Sequence, residues 1–359
     1  GVIFANTTGD LPIPNREYFM EWLQSGKAFI GMHSASDTFH GFPKFVGMIG
    51  GEFLTHGAQA EVIARVEDGH HPACQHYGDS FKVRDEIYIL KNFHRDTVHG
   101  LLSQDSHPNT TAPGDYPIAW CSEYGKGKVF YTSLGHREDI WTSDHYQKHV
   151  LGGINWALGL ADGDGKPLNN RYEVSAEERA AGFKPLFNGI NLEGWKLRHK
   201  DGAKSWNVQN GMMVNTLGKD EHGTDIVTND KFWNFTVRYD YLIPKGSNSG
   251  FYLRGRHEIQ IFDDYGKKPE MGGNGAIYSV KPVSLQASRR AGEWQEVEAT
   301  ITGNRISVTL NGVKVHDSVE VNRATGSELD ANVDQPGSLF IQGDHGAVAL
   351  RNIRIKVLD

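Results

Sequence analysis

The rhythm of this chain changes once, and the change fixes what it can fold into. Up to residue 160 short apolar runs alternate with amphipathic ones. Val2–Ala5 and Ala28–Met32 read as strands, and so does Lys128–Ser133. Asn15–Ser25 reads as a helix with Tyr18, Phe19, Trp22 and Leu23 on one face and Gly26 as its stop. Phe42–Gly50 is a second helical piece, and His145–Leu158 a third with Val150, Leu151, Ile154 and Leu158 in register. Such alternation predicts an α/β domain over residues 1–160, a parallel sheet with helices on both faces. Residues 161–184 are turn-rich, with one short helix start capped by Ser175, and read as a linker. Asp162, Asp164 and Gly165 lack the later acidic ligand of a calcium loop, so a plain turn is expected there. From residue 185 to 359 the pattern is all β. Runs such as Phe235–Ile243, Gly250–Arg254, Glu258–Phe262, Glu296–Ile301, Arg305–Leu310, Ser338–Gln342 and Val348–Val357 are separated by Gly, Asn and Asp turns. Asn311-Gly312 between Val308-Thr309-Leu310 and Val313-Lys314-Val315 is a hairpin signal. This predicts a two-sheet sandwich.

The 359 residues suffice for two cores. The net charge of −7, without a basic block, argues against nucleic acid as a partner. No run of 18 apolar residues is present, so no membrane-spanning helix is expected. The 42 glycines and 11% aromatic content suit a turn-rich β protein that presents rings to carbohydrate. Two cysteines, Cys74 and Cys121, make no disulfide framework, and buried thiols are expected. Oligomeric state leaves no mark in the sequence.

One segment carries reactive chemistry. In Glu258-Ile259-Gln260-Ile261-Phe262-Asp263, alternation puts Glu258 and Gln260 on one face of a strand and Ile259 and Ile261 on the other. Asp263 falls out of phase, and a β-bulge would return it to the polar face. Two carboxylates flanking an amide can do acid/base or nucleophilic work on a sugar. Arg254, His257 and the Asn248–Arg254 run lie just upstream.

The first half resembles the ThuA-like (trehalose utilisation) family, whose flavodoxin-like fold is related to class I glutamine amidotransferases. The resemblance rests on Gly31-Met32-His33-Ser34-Ala35-Ser36-Asp37, Gly50-Gly51-Glu52-Phe53 with His56, His71-Pro72, Asp85-Glu86-Ile87-Tyr88, Tyr124-Gly125-Lys126-Gly127-Lys128-Val129 and Ser133-Leu134-Gly135-His136. It implies strands ahead of Val2, so residues upstream of Gly1, any targeting segment among them, are expected. Where the amidotransferase relatives carry a cysteine nucleophile this chain has His33, so amidotransferase chemistry is not expected. His33 and His136 both follow sheet strands, at the edge where open α/β sheets hold ligands. With His56, His71 and Glu86 they could bind a divalent metal, zinc or calcium, or a sugar.

The second half resembles the 3-keto-disaccharide hydrolase family, with a concanavalin-like jelly-roll sandwich. The matching stretches include Leu186-Phe187-Asn188-Gly189, Trp206–Gly211, Gly246–Arg254, Glu258–Asp263, Gly275-Ala276-Ile277-Tyr278, Leu310-Asn311-Gly312-Val313 and Ile341–His345, where Asp344 separates Gly343 from His345. The resemblance implies a small carbohydrate substrate and cleavage of 3-keto-glycosides through C2 deprotonation. Glu258 or Asp263 would be the base and the other the acid, with Arg254, His257 or a metal holding the enolate. Asn248, Gln260 and His345 would contact hydroxyls, and Trp206, Tyr252 and Tyr278 would stack on the ring. Glu258-x-Gln260-x-x-Asp263 also resembles the Glu-x-Asp-x-x-Glu motif of laminarinase-type glycosidases, which would make Glu258 the nucleophile of a retaining hydrolase. A sugar-binding module without turnover is the third reading. Members of the family are often exported, so an extracytoplasmic location is expected.

Overall fold

The computed structural model describes residues 1–168, 172–200, 205–216 and 223–359. The chain forms two compact units. One comprises Gly1–Asn109 with Asp115–Asn169, the other Thr110–Gly114 with Asn170–Asp359. Residues 169–171 of the expected linker lie outside the described residues.

In the first unit a seven-stranded sheet runs in the order Val2–Ala5, Ala28–Met32, Gly127–Thr132, Pro113–Tyr124, His99–Ser106, Ala60–Val66, Ser80–Asp85. The first three strands are mutually parallel. From there the sheet departs from the all-parallel expectation: Pro113–Tyr124 is antiparallel to Gly127–Thr132, and Ala60–Val66 is antiparallel to both of its neighbours. A turn at Tyr124–Gly127 joins two of these strands directly, where a parallel pair would need a crossover. Helix Arg16–Gln24 begins where the Asn15 side chain accepts the Tyr18 N–H at 2.9 Å. Helix Pro43–Ile49 ends at Gly50, with φ of 93°. The sheet is covered on both faces. Phe4, Met20, Phe29, Phe45, Trp120 and Tyr131 pack on one side, while Ile30, Ile118, Cys121, Phe130 and Trp156 pack on the other. Cys74 and Cys121 are buried free thiols, and burial raises the pKa of both.

In the second unit two antiparallel sheets share one core. The larger runs Trp206–Gln209, Met212–Asn215, Val348–Val357, Phe235–Leu242, Gln295–Thr302, Arg305–Leu310, Val313–Glu320, and Lys184–Pro185 pairs with Val348–Val357. The smaller runs Trp195–Leu197, Ile226–Thr228, Phe340–Ile341, Asn248–Leu253, His257–Phe262. Alternation aims Val237, Tyr239, Ile301 and Leu350 of the first sheet, and Phe251, Ile259, Ile261 and Ile341 of the second, into the shared interior. The Tyr239 and Phe251 rings stack across it at 4.1 Å. Asn311 and Gly312, both at positive φ, make the expected two-residue turn. The edge of strand His257–Phe262 is covered by residues 275–278. Gly275 N donates to Gln260 O, Gln260 N to Ala276 O and Tyr278 N to Glu258 O. No described helix is long and apolar enough to cross a membrane.

Candidate functional site

The face of the five-stranded sheet turned away from the core carries a row in register. Lys196 opposes Val227, Val227 opposes Phe340, Phe340 opposes Tyr252, and Tyr252 opposes Glu258. Tyr252 stacks on Phe340 at 3.8 Å and hydrogen bonds through its hydroxyl with Glu258. The Glu258 backbone is fixed on both sides: its N–H donates to Thr325 Oγ1 at 2.9 Å and its carbonyl accepts from Tyr278. Beside it stands Gly250. A Cβ there would overlap the Glu258 carboxylate oxygen and lie 2.9 Å from its Cγ and Cδ, so only glycine leaves the carboxylate its place.

Glu258 is 4% exposed. Burial pushes its pKa up to about 7, opposed by the Tyr252 hydrogen bond and by His345, and aided by Asp225 and Asp344. The sequence marks Asp344 only as the residue between Gly343 and His345, and does not mark Asp225. Asp225 precedes strand Ile226–Thr228, accepts from Arg198 at 3.0 Å, and accepts the Gly343 N–H at 3.0 Å. It thereby holds the loop that carries Asp344 and His345, with help from Asn215 Nδ2, which donates to Gly343 O and Gly346 O. Arg198 also donates to Ser327 O and Glu328 O, and lies over Phe340. The signal for Asp225 in the sequence is slight, a lone acid before the apolar Ile226-Val227 pair.

Of the residues expected here, Glu258, Tyr252, Gln260 and Asn248 share this face. Gln260 serves the loop beside it, donating to Gly272 O at 3.2 Å. Asn248 Oδ1 is buried without a hydrogen-bond partner. Tyr278 and His345 are more exposed, on the segments that flank the row. Four expectations need correction. Asp263 lies past the end of strand His257–Phe262, whose pairing with Asn248–Leu253 has no bulge. Its carboxylate accepts the Gly246 N–H at 2.8 Å, and five residue steps along the extended backbone set it about 16 Å from Glu258. Arg254 occupies the turn between the two strands with φ of 53°, and its guanidinium donates to Trp233 O, Gly303 O and Asn234 Oδ1 while stacking 3.5 Å from the Trp233 ring. It braces the turn and is not arranged on the carboxylate. His257 points to the opposite face from Glu258, and burial lowers its pKa to about 4. Trp206 is a core ring whose indole donates to Thr224 O at 2.7 Å, so it offers no stacking platform.

In the first unit, His33 follows strand Ala28–Met32 and His136 follows strand Gly127–Thr132, so neighbouring parallel strands deliver both to one edge. His33 Nε2 stands 3.4 Å from His136 Nδ1 and 3.8 Å from Glu86 Oε1, and His136 Nδ1 stands 3.4 Å from Glu86 Oε2. His33 Nδ1 bonds Ser133 O at 3.0 Å, and Tyr88 Oη lies 3.0 Å from His33 Nε2. His33 itself holds φ of 49°, a strained conformation of the kind found at functional turns. Asp85 fixes the loop of His136 by accepting the Gly135 and Arg137 N–H groups. His56 Nδ1 reaches Glu86 Oε2 at 3.4 Å. His71 is not part of this cluster: it packs on Trp156 and His99, its Nε2 lies 3.6 Å from Cys121 Sγ, and burial lowers its pKa to about 4.

Comparison with known proteins follows the same division. Residues 1–157 match the Trehalose utilisation (ThuA) family, and residues 182–356 match the 3-keto-alpha-glucoside-1,2-lyase-like domain. The chain is 25% identical over 232 residues to a 3-keto-disaccharide hydrolase of Bacteroides thetaiotaomicron, covering 50% of this chain and 80% of that protein. A solved candidate glycosyl hydrolase from Parabacteroides distasonis is 26% identical with a TM-score of 0.45, covering 52% of this chain and 98% of its own. A candidate ThuA-like protein from Parabacteroides merdae is 20% identical with a TM-score of 0.39, covering 44% of this chain and 70% of its own. The chain therefore joins a trehalose utilisation domain to a 3-keto-alpha-glucoside-1,2-lyase-like domain.

Proposed function

We propose that this protein is a carbohydrate-active hydrolase whose second domain cleaves 3-keto-glycosides, with Glu258 as the base. The observation that carries the reading is a buried carboxylate with its pKa pushed up to about 7, opposite a tyrosine and beside a glycine that makes room for it. A base of that strength is matched to neutral pH. A ketone at C3 acidifies the C2 proton. Glu258 takes that proton, and the C2–H electron pair forms the C2=C3 enolate. The enolate collapses to a C1=C2 double bond as the C1–O bond breaks, and the leaving oxygen gains a proton. Water then adds at C1, C2 is reprotonated, and the net reaction is hydrolysis. Burial keeps the Tyr252 hydroxyl protonated, so it orients Glu258 as a hydrogen-bond donor. His345, whose charge bears on Glu258, is the group for the enolate oxygen, the role expected of Arg254. The retaining alternative needs a second carboxylate about 5–5.5 Å away, and Asp263 is not positioned to supply it.

The test is turnover of a 3-keto-glucoside in deuterium oxide. Solvent deuterium at C2 of the product, together with a loss of roughly 10²–10⁴ in turnover for Glu258→Gln, supports the reading. Cleavage of unoxidised glucosides without exchange at C2 refutes it in favour of ordinary hydrolysis. Binding without turnover leaves a sugar-binding module.

A further inference from the structure

We propose that His33, Glu86 and His136 of the first domain form a zinc site with an open coordination position. Zinc binds imidazole nitrogen and carboxylate oxygen at about 2.0–2.2 Å, so tetrahedral ligand atoms stand about 3.3–3.5 Å apart. The three separations here, 3.4, 3.4 and 3.8 Å, already approach that spacing. The donor chemistry agrees. His33 Nδ1 lies 3.0 Å from a carbonyl, Ser133 O, and must carry its proton to bond it. Nε2 then carries the lone pair, with the Tyr88 hydroxyl at 3.0 Å and the His136 and Glu86 ligand atoms at 3.4 and 3.8 Å, and the outer hydrogen bond at Nδ1 fixes the tautomer as it does for a metal-binding histidine. His56, close to Glu86 Oε2, gives that carboxylate a further partner.

The two histidines end adjacent parallel strands, at the carboxyl edge where α/β sheets bind ligands, and His33 is held in a strained backbone conformation. His33 and Glu86 are buried while His136 is 41% exposed, so the cluster is anchored yet open to solvent. Two histidines and one glutamate leave one position free, as in sites where zinc holds a reactive water or a substrate oxygen. This inference is independent of Glu258 and of the second domain.

The full chain, stripped with a chelator and dialysed, is titrated with zinc chloride by calorimetry, and its cobalt(II) form is recorded in the visible. One equivalent per chain and a four-coordinate cobalt spectrum are expected. His33→Ala, Glu86→Gln and His136→Ala should each weaken zinc at least about a hundredfold. His40→Ala, in the separate His40–Asp37–Glu52 cluster, should leave binding unchanged. Since His33 is buried, circular dichroism checks its variant for folding, and the more exposed His136 supplies the variant expected to fold in any case. Absence of stoichiometric zinc in the wild type overturns the proposal. So does undiminished binding in folded His136→Ala, or loss of binding through His40→Ala.

Discussion

Replacing Glu258 by glutamine should make the second domain more stable at alkaline pH while removing its activity. The folded protein holds the Glu258 proton with a pKa of about 7 against an ordinary value of 4.5. Folding therefore raises this carboxyl's proton affinity. Its contribution to stability is fully present below pH 4.5, is lost as pH rises, and has gone above about pH 7. Each pH unit of that span is about 1.4 kcal/mol, so ionising Glu258 in place costs about 3 kcal/mol. Glutamine keeps the shape without the charge. At pH 4 the two proteins should melt together. At pH 8 the variant's second-domain transition should lie roughly 6–12 °C higher, at about 2–4 °C per kcal/mol for a domain of this size. Scanning calorimetry from pH 4 to 9 measures it, and wild-type kcat/KM should rise through about pH 7 as the base ionises. A stability difference that does not grow between pH 4.5 and 7 would refute the electrostatic reasoning. A variant less stable at every pH would show that the carboxylate is held by partners that the charge-burial argument leaves out.

Three further outcomes follow from the geometry. Gly250→Ala should fold yet displace the Glu258 carboxylate, and a misplacement near 1 Å lowers turnover about 10²-fold, read as kcat on a 3-keto-glucoside. Arg254→Ala removes donors to Trp233 O, Gly303 O and Asn234 Oδ1, so urea unfolding should register a loss of about 3 kcal/mol while kcat/KM of the folded fraction stays within about threefold. Asp263→Asn should retain activity within about tenfold, because this carboxylate serves the Gly246 turn; a collapse to the level of Glu258→Gln would restore the two-carboxylate mechanism.

The parts of the fold that announce themselves do so through local chemistry. Asn15 caps a helix, Gly50 ends one, and Asn311-Gly312 can only turn tightly. The antiparallel strands between residues 52 and 124 are harder to read. In Ala60–Val66 the outward Glu61, Ile63 and Arg65 mix charge with an exposed apolar side chain, which blurs the alternation. Glu258 was readable because period-two alternation separates it from Ile259 and Ile261. Asp263 was misread because a carboxylate after a strand can cap a turn as easily as line a site. Trp206 was misread because an indole suits a core as well as a sugar. Asp225 is 33 positions from Glu258, and only the intervening strands Phe340–Ile341 and Asn248–Leu253 bring them to one sheet, a relation that no local pattern encodes.

Glu258 sits on the last strand of its sheet, where an unpaired ladder of backbone groups would normally invite another chain to add itself. Here residues 275–278 take up those groups without forming a regular strand, and Ile277 bridges to Ile259. The same bonds that steady Glu258 thus keep this border from acting as a template for aggregation. A lesion in that short segment would be felt first as loss of solubility and yield, at concentrations where the isolated molecules still turn over.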